Sequence, residues 1–305
     1  ATCVPVDIRY PTDTRLLSDA RKALEEVIDV LHEPHVGKYK KPRTYRQRAR
    51  REYLGFERKK KHTAREIRKT VGRQLRYLRR NLKTITRLSK KSSLILLDNR
   101  QYRNLLVIQE LYRQQLEMYT ERKHQVDHRI VSLHMPFIRP IVRGKRNADV
   151  EFGPKLAISM VNGFAFMENL SFDAFNEGKT LQASVEAFRS RYGHYPSEVY
   201  VDKIYRNRDN LQFCKKHGIR LSGPPLGRPT KDPEALKQQR KQERADSKIR
   251  NSVEGKFGEG KRFYGLSRIM TCLANSCETV IALQLLVMNL GHRLRILFVR
   301  FLKVH

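Results

Sequence analysis

Apolar residues recur every three or four positions through much of this chain, and the places where that rhythm breaks divide it into elements. Leu17, Ala20, Leu24, Val27, Ile28 and Leu31 keep a helical spacing, which gathers them on one face. Thr12 or Asp13 can cap that helix and Pro34 ends it. Residues 1–10 (ATCVPVDIRY) are rich in β-branched side chains and stop at Pro11, so they predict a strand. Ile67, Val71, Leu75, Leu78, Leu82 and Ile85 predict a basic helix with a packing face. Leu105, Ile108, Leu111, Tyr112, Leu116 and Tyr119 predict another over about 98–122. These two are expected to pair as an antiparallel arm.

Later the period changes. Runs 155–161 and 164–170 flank Asn162-Gly163, a pair suited to the two positive φ angles of a type I′ turn, which predicts a hairpin. A helix over 180–192 (Leu181, Val185, Phe188) ends at Gly193. A strand at 199–203, a helix from Asn207 to Gly218 and a strand at 219–222 form a unit that calls for parallel pairing. After the break GPPLGRP, Asp232 and Pro233 open a long polar helix. Gly255, Gly258 and Gly260 should each weaken it by about 1 kcal/mol relative to Ala, so it is expected to end near them or to meet another backbone there. An apolar helix over 273–302 closes the chain. Its apolar stretch Val280–Leu290 is eleven residues long and is followed by His292 and Arg293, too short to span a bilayer, and is expected to be buried.

Charge narrows the choice of partner. Across 305 residues, 63 Lys and Arg oppose 31 Asp and Glu, a net +32. Such an excess asks for a polyanion, most simply nucleic acid rather than a membrane. Between residues 38 and 91, 23 Lys and Arg face 3 Glu, a local +20, and Tyr39, Tyr45, Tyr53, Phe56 and Tyr77 are interleaved with them. Cations and aromatics together suit phosphates and bases, which makes Arg43, Arg46, Arg50, Lys59 and Lys60 candidate DNA contacts. Arg139 and Arg143, with His134 and Lys145, either extend that surface or brace the fold. Four cysteines without metal-site spacing are expected to be reduced, in a cytoplasmic protein. No signal peptide is visible, and a start at Ala1 rather than Met suggests a fragment or a processed product.

Candidate chemistry centres on two acids. Arg250, Glu254 and Lys261 lie four and seven positions apart, which at about 100° per residue puts them on one helical face. Asp202 ends a strand, at the sheet edge where ligands bind, and an acid among apolar neighbours there needs a partner. A strand-borne Asp and a helix-borne Glu 52 positions apart (254 − 202), with a hairpin upstream, fit an α/β RNase H-like mixed sheet flanked by helices. In this reading a long basic helical insertion follows the first strand. The divisions are 1–13 (first strand), 14–130 (insertion) and 131–305 (remainder). Such sites hold two divalent ions for phosphodiester chemistry and need a third carboxylate. The alternatives are a non-catalytic basic nucleic-acid-binding protein, or another RNase H-like nuclease or resolvase.

Five passages carry a family likeness: YVDKIYRN at 200–207, SGPPLGRP at 222–229, the Arg250-x3-Glu254-x6-Lys261 spacing, RPIVRG at 139–144 and EFGPK at 151–155. With them the chain resembles a DDE-type transposase of a bacterial insertion sequence. The resemblance implies DNA strand cleavage and transfer with Mg2+ or Mn2+, and Asp202 and Glu254 as the second and third metal-binding acids. It implies phosphate contacts from Arg250 and Lys261, with Lys256. Its partners would be double-stranded DNA at the terminal repeats and target, with a homodimer left open. Two features depart from the pattern. Ser247 stands where relatives often have a tyrosine. The first aspartate of relatives falls just ahead of a run like Ala1–Cys3, and Asp7, on the order of 23 Å along a strand, does not replace it. The chain is therefore expected to be an N-terminally truncated, inactive copy.

Overall fold

The computed structural model describes residues 1–145, 148–227 and 232–302, without the side chains of 143–149 and 300. The motif at 222–229 therefore lies partly outside the described residues. Two compact units emerge, one made of Ala1–Asp7 with Ile141–His305 and the other of Ile8–Pro140.

The Ile8–Pro140 unit is helical. Its elements are α1 (Asp13–His32), α2 (Arg46–Glu57), α3 (Ala64–Leu88) and α4 (Asn99–Glu121). Thr12 caps α1 by accepting from the Arg15 N–H. The apolar stripe read in α1 is buried, and it packs with Val71, Leu75, Leu78 and Ile85 of α3 and Leu105, Ile108 and Leu111 of α4. The expected two-helix arm is thus a three-helix core, because the stripe of α1 fills the groove between the other two. The basic stretch is also two helices. Thr63 and Glu66 form a capping box that restarts the helix after the Lys59–His62 break.

The other unit is mixed α/β. β1 (Thr2–Cys3) pairs antiparallel with β4 (Lys155–Val161), which pairs with β5 (Phe164–Ser171). Asn162 and Gly163 adopt φ of 51° and 83°, the two positive angles the hairpin turn needs. β1 is shorter than the predicted strand, but the chain stays extended beyond it. Val4 and Val6 donate to the carbonyls of Pro154 and Phe152, and Asp7 donates to Ile269. Gly153 of the EFGPK passage has a steric cause: a Cβ there would lie 2.0 Å from the Val4 carbonyl oxygen.

β2 (Pro140–Lys145) and β3 (Ala148–Phe152) form a separate pair. β6 (Glu198–Val199) and β7 (Arg220–Leu221) pair in parallel across α6 (Arg208–Lys216). Among the described residues the strands therefore make three small sheets rather than one continuous mixed sheet. α5 (Leu181–Tyr192) ends at Gly193 with φ of 79°, and its Leu181 and Val185 join Cys214, Ile219 and Leu221 in a second core.

α7 (Pro233–Phe263), capped by Asp232, runs unbroken through all three glycines. The expected stop is absent: nothing crowds Gly255 or Gly258, while Gly260 is where Leu266 and Met288 press against the helix. α8 (Ala274–Leu302) follows. Its expected burial is also corrected. Cys277, Ile281, Leu285 and Met288 are buried, whereas Leu283, Leu286, Val287 and Leu290 are half exposed. Residues 274–299 are long and apolar enough to cross a membrane by length and composition, because the apolar stretch continues past Arg293.

Candidate functional site

Asp202 lies just beyond β6, not within a strand, where its carbonyl accepts from the Tyr205 N–H as the chain turns toward α6. Its side chain is 54% exposed and Oδ1 lies 2.8 Å from Arg250 Nη1. Its partner comes from α7, 48 positions along the chain (250 − 202), although at this exposure the expected burial cost that would demand one is absent. Arg250, Glu254 and Lys261 point to one side of α7 and, with Asp202, line a cavity of about 660 Å3. Ala1 and Thr2 line it too, as do the aromatic rings of Phe188, Tyr205 and Phe257. Burial pushes the Tyr205 hydroxyl up to about 12, so it stays protonated at neutral pH. Gly258 also lines the cavity, and a Cβ added there would meet no other atom within 4 Å.

A three-way clamp holds this wall together. Arg220 on β7 binds Glu198 at 2.8 Å and Asp246 on α7 at 3.0 Å, while the Tyr200 hydroxyl donates to Glu198. Hydrogen bonds from Arg220 and then Tyr200 hold Glu198 down to about 2. The Arg220 hydrogen bond also lowers Asp246 against the opposing effect of burial. Nothing in the local spacing of Glu198, Arg220 or Asp246 marks them, because the parallel β6–β7 register sets Glu198 opposite Arg220 and α7 brings Asp246 to the same guanidinium. Glu177 is similar. It binds Lys155 at 2.9 Å and lies 3.2 Å from the Ala1 nitrogen.

A divalent ion of the Mg2+ kind takes one or two carboxylates plus waters and phosphate oxygens. Asp202 and Glu254, which both line the cavity, are the two carboxylates that the sequence reading assigns to such an ion. A two-ion centre asks for more, and among the described residues no group of three His, Cys, Asp or Glu is placed to hold a metal.

The candidate DNA contacts divide by geometry. Arg43, Arg50 and Lys60 are exposed and have no ion-pair partner among the described residues. Arg46 is instead clamped by Asp29, with contacts of 2.6 and 2.9 Å, and Lys59 by Glu66 at 2.5 Å. Lys256 is 6% exposed and bound to Glu259, so it faces the interior while Glu254 and Lys261 face the cavity. Arg139 donates to the Pro136 and Ile138 carbonyls, a bracing role. The side chain of Arg143 lies outside the described residues, and His134 is exposed.

Residues 199–291, under a third of the chain, match the family model of the transposase DDE domain. The matched segment holds Asp202, Arg250, Glu254 and Lys261. No curated protein and no solved structure matches the chain.

Proposed function

We propose that this chain acts in DNA transposition as a DDE-type transposase, with the cavity between Asp202 and α7 as its catalytic centre. The observation that carries the proposal is the convergence, inside the segment matching the DDE domain, of two acids and two cations on one cavity. Asp202 and Glu254 would hold a divalent cation, Mg2+ or Mn2+, which when bound polarises a phosphoryl oxygen. Lys261 and Arg250 would hold DNA phosphates beside it. The Asp202–Arg250 pair is half exposed, and such pairs are worth about 0–1 kcal/mol, so an arriving phosphate can draw Arg250 away at little cost. A third acid, assigned by resemblance to the position before Ala1, would enter this same cavity, because Ala1 and Thr2 line it. The natural DNA would be insertion-sequence ends and their target in the bacterial cytoplasm.

Alanine at both Asp202 and Glu254 tests the assignment. Mn2+ bound to the wild-type protein, read by electron paramagnetic resonance, should be lost, while affinity for duplex DNA stays level or rises as negative charge leaves the cavity. Unchanged Mn2+ binding would sink the carboxylate assignment. A purely DNA-binding protein is the second reading, favoured by the exposed Arg43, Arg50 and Lys60. It predicts that the two acids matter to neither metal nor DNA.

A further inference from the structure

We infer that the space between β4 and β6 is a docking slot for an extended apolar peptide of another polypeptide, which adds to the two strands as a strand of its own. Two unpaired strand edges line this slot. β1 meets β4 only at Lys155 and Leu156, and among the described residues no strand lies on that edge of β4 further along. Ala165, opposite Met160 in the hairpin, exchanges both of its backbone hydrogen bonds with Asn289. The Met160–Ala165 pair is therefore a non-hydrogen-bonded one, and the Met160 N–H and C=O point away from β5. The register shift at Ala157/Ile158 places its extra residue on β5, so β4 alternates without a break. Alternation turns the Ile158 backbone the same way, toward the edge where Leu156 meets Thr2.

The other edge belongs to β6. The Ser197 and Val199 carbonyls accept from Arg220 and Ser222, and the Val201 N–H donates to Ser222 Oγ. Those alternate residues face β7, so the backbone groups of Glu198 and Tyr200 face away from it. Ile158, Met160, Glu198 and Tyr200 all line the cavity of about 660 Å3.

Burial changes where β1 stops. Leu156 and Ala157 are buried, while Ile158 to Val161 are only half-buried. Leu181, Val185 and Phe188 of α5 and Val253 and Phe257 of α7 line the same cavity, so a strand laid there meets apolar side chains from two helices. Strands covered in that way are apolar throughout rather than alternating. Along the line of β1, a peptide opposite residues 158–161 pairs through four residues (161 − 158 + 1), antiparallel to β4. The edges also choose between ligands. A phosphate backbone accepts hydrogen bonds and never donates them, whereas each edge offers N–H and C=O groups together, which a peptide backbone matches. This inference stands apart from the metal assignment, because no carboxylate side chain takes part in it.

Fluorescence anisotropy of the full chain with fluorescein-labelled Lys-Lys-Val-Ile-Val-Ile, in EDTA and without DNA, tests it. Saturable binding is expected. N-methylation of the second valine removes a ladder N–H while adding apolar surface, and should weaken binding by about tenfold or more. Met160→Pro should do the same with unchanged circular dichroism, since it removes an N–H that β5 does not use and edge strands tolerate proline. Met160→Leu, which keeps that N–H, should bind as the wild type does. The same six residues fused ahead of Ala1 should fill the slot in cis and abolish binding of the free peptide. An absence of saturable binding overturns the proposal. So does binding indifferent to N-methylation, the mark of simple apolar adhesion, or binding that persists in the fusion.

Discussion

Asp202 and Arg250 show how a site residue can be legible while its state is not. The helical offsets of Arg250, Glu254 and Lys261 follow from local geometry, so their shared face can be read directly from sequence. The contact with Asp202 is long-range and depends on where α7 lies against the end of β6, which no local spacing encodes. Because that pair is half exposed, Arg250→Gln should cost no more than about 1 kcal/mol in urea denaturation while weakening DNA binding. A loss of several kcal/mol would make the pair structural and remove Arg250 from the DNA contacts. Arg220 behaves oppositely. Glu198 and Asp246 both have depressed folded-state pKa values, so their contribution is present above the ordinary carboxylate range near 4. It is lost as pH falls from there toward 2. Thermal melts across that window should show stability falling with pH in the wild type. Arg220→Met should lower the melting midpoint at pH 7 and flatten the slope.

At the scale of elements, α7 is where local propensity and tertiary packing part. Three glycines cost about 1 kcal/mol each in isolation, yet the helix continues because it is pinned by Asp246 on Arg220 and by Gly260 against Leu266. The glycines are therefore unequal. Gly255→Ala should stabilise by about 0.5–1 kcal/mol, since nothing lies within 4 Å of its new methyl. Gly260→Ala would bring a Cβ to 2.6 Å from Leu266 Cδ1, and overpacking of this kind costs about 1–3 kcal/mol. Chemical denaturation should show opposite signs. Equal stabilisation at both would mean that Leu266 yields freely. Elsewhere, strong local chemistry makes elements readable: the Asn162-Gly163 turn, the caps at Thr12, Asn207 and Asp232, and Gly193 at the end of α5. The start of α3 has such a signal in Thr63-x-x-Glu66, which the continuous run of cations masks. Strand lengths and the three-sheet arrangement are not readable, since pairing partners decide them. The half-exposed side of α8 is visible as hydrophobicity and reads as core, because periodicity does not say which apolar face is covered.

On the scale of the whole molecule, a net +32 makes salt-dependent DNA binding the dominant expectation. The fold also separates cations that composition alone treats as equal. Arg43→Gln, Arg50→Gln and Lys60→Gln should each reduce the slope of log K against log salt by about 1. Arg46→Gln should leave that slope unchanged, because Asp29 already holds its guanidinium. Equal effects from all four would mean that Arg46 releases Asp29 on binding. The central claim concerns the cavity, and it meets its most direct test in Mn2+-dependent cleavage of labelled duplex DNA by this chain with Met-Asp placed before Ala1. The account predicts cutting that disappears with Asp202→Asn or Glu254→Gln while DNA binding persists. Cutting that survives both substitutions, or none at all despite tight binding, would contradict it.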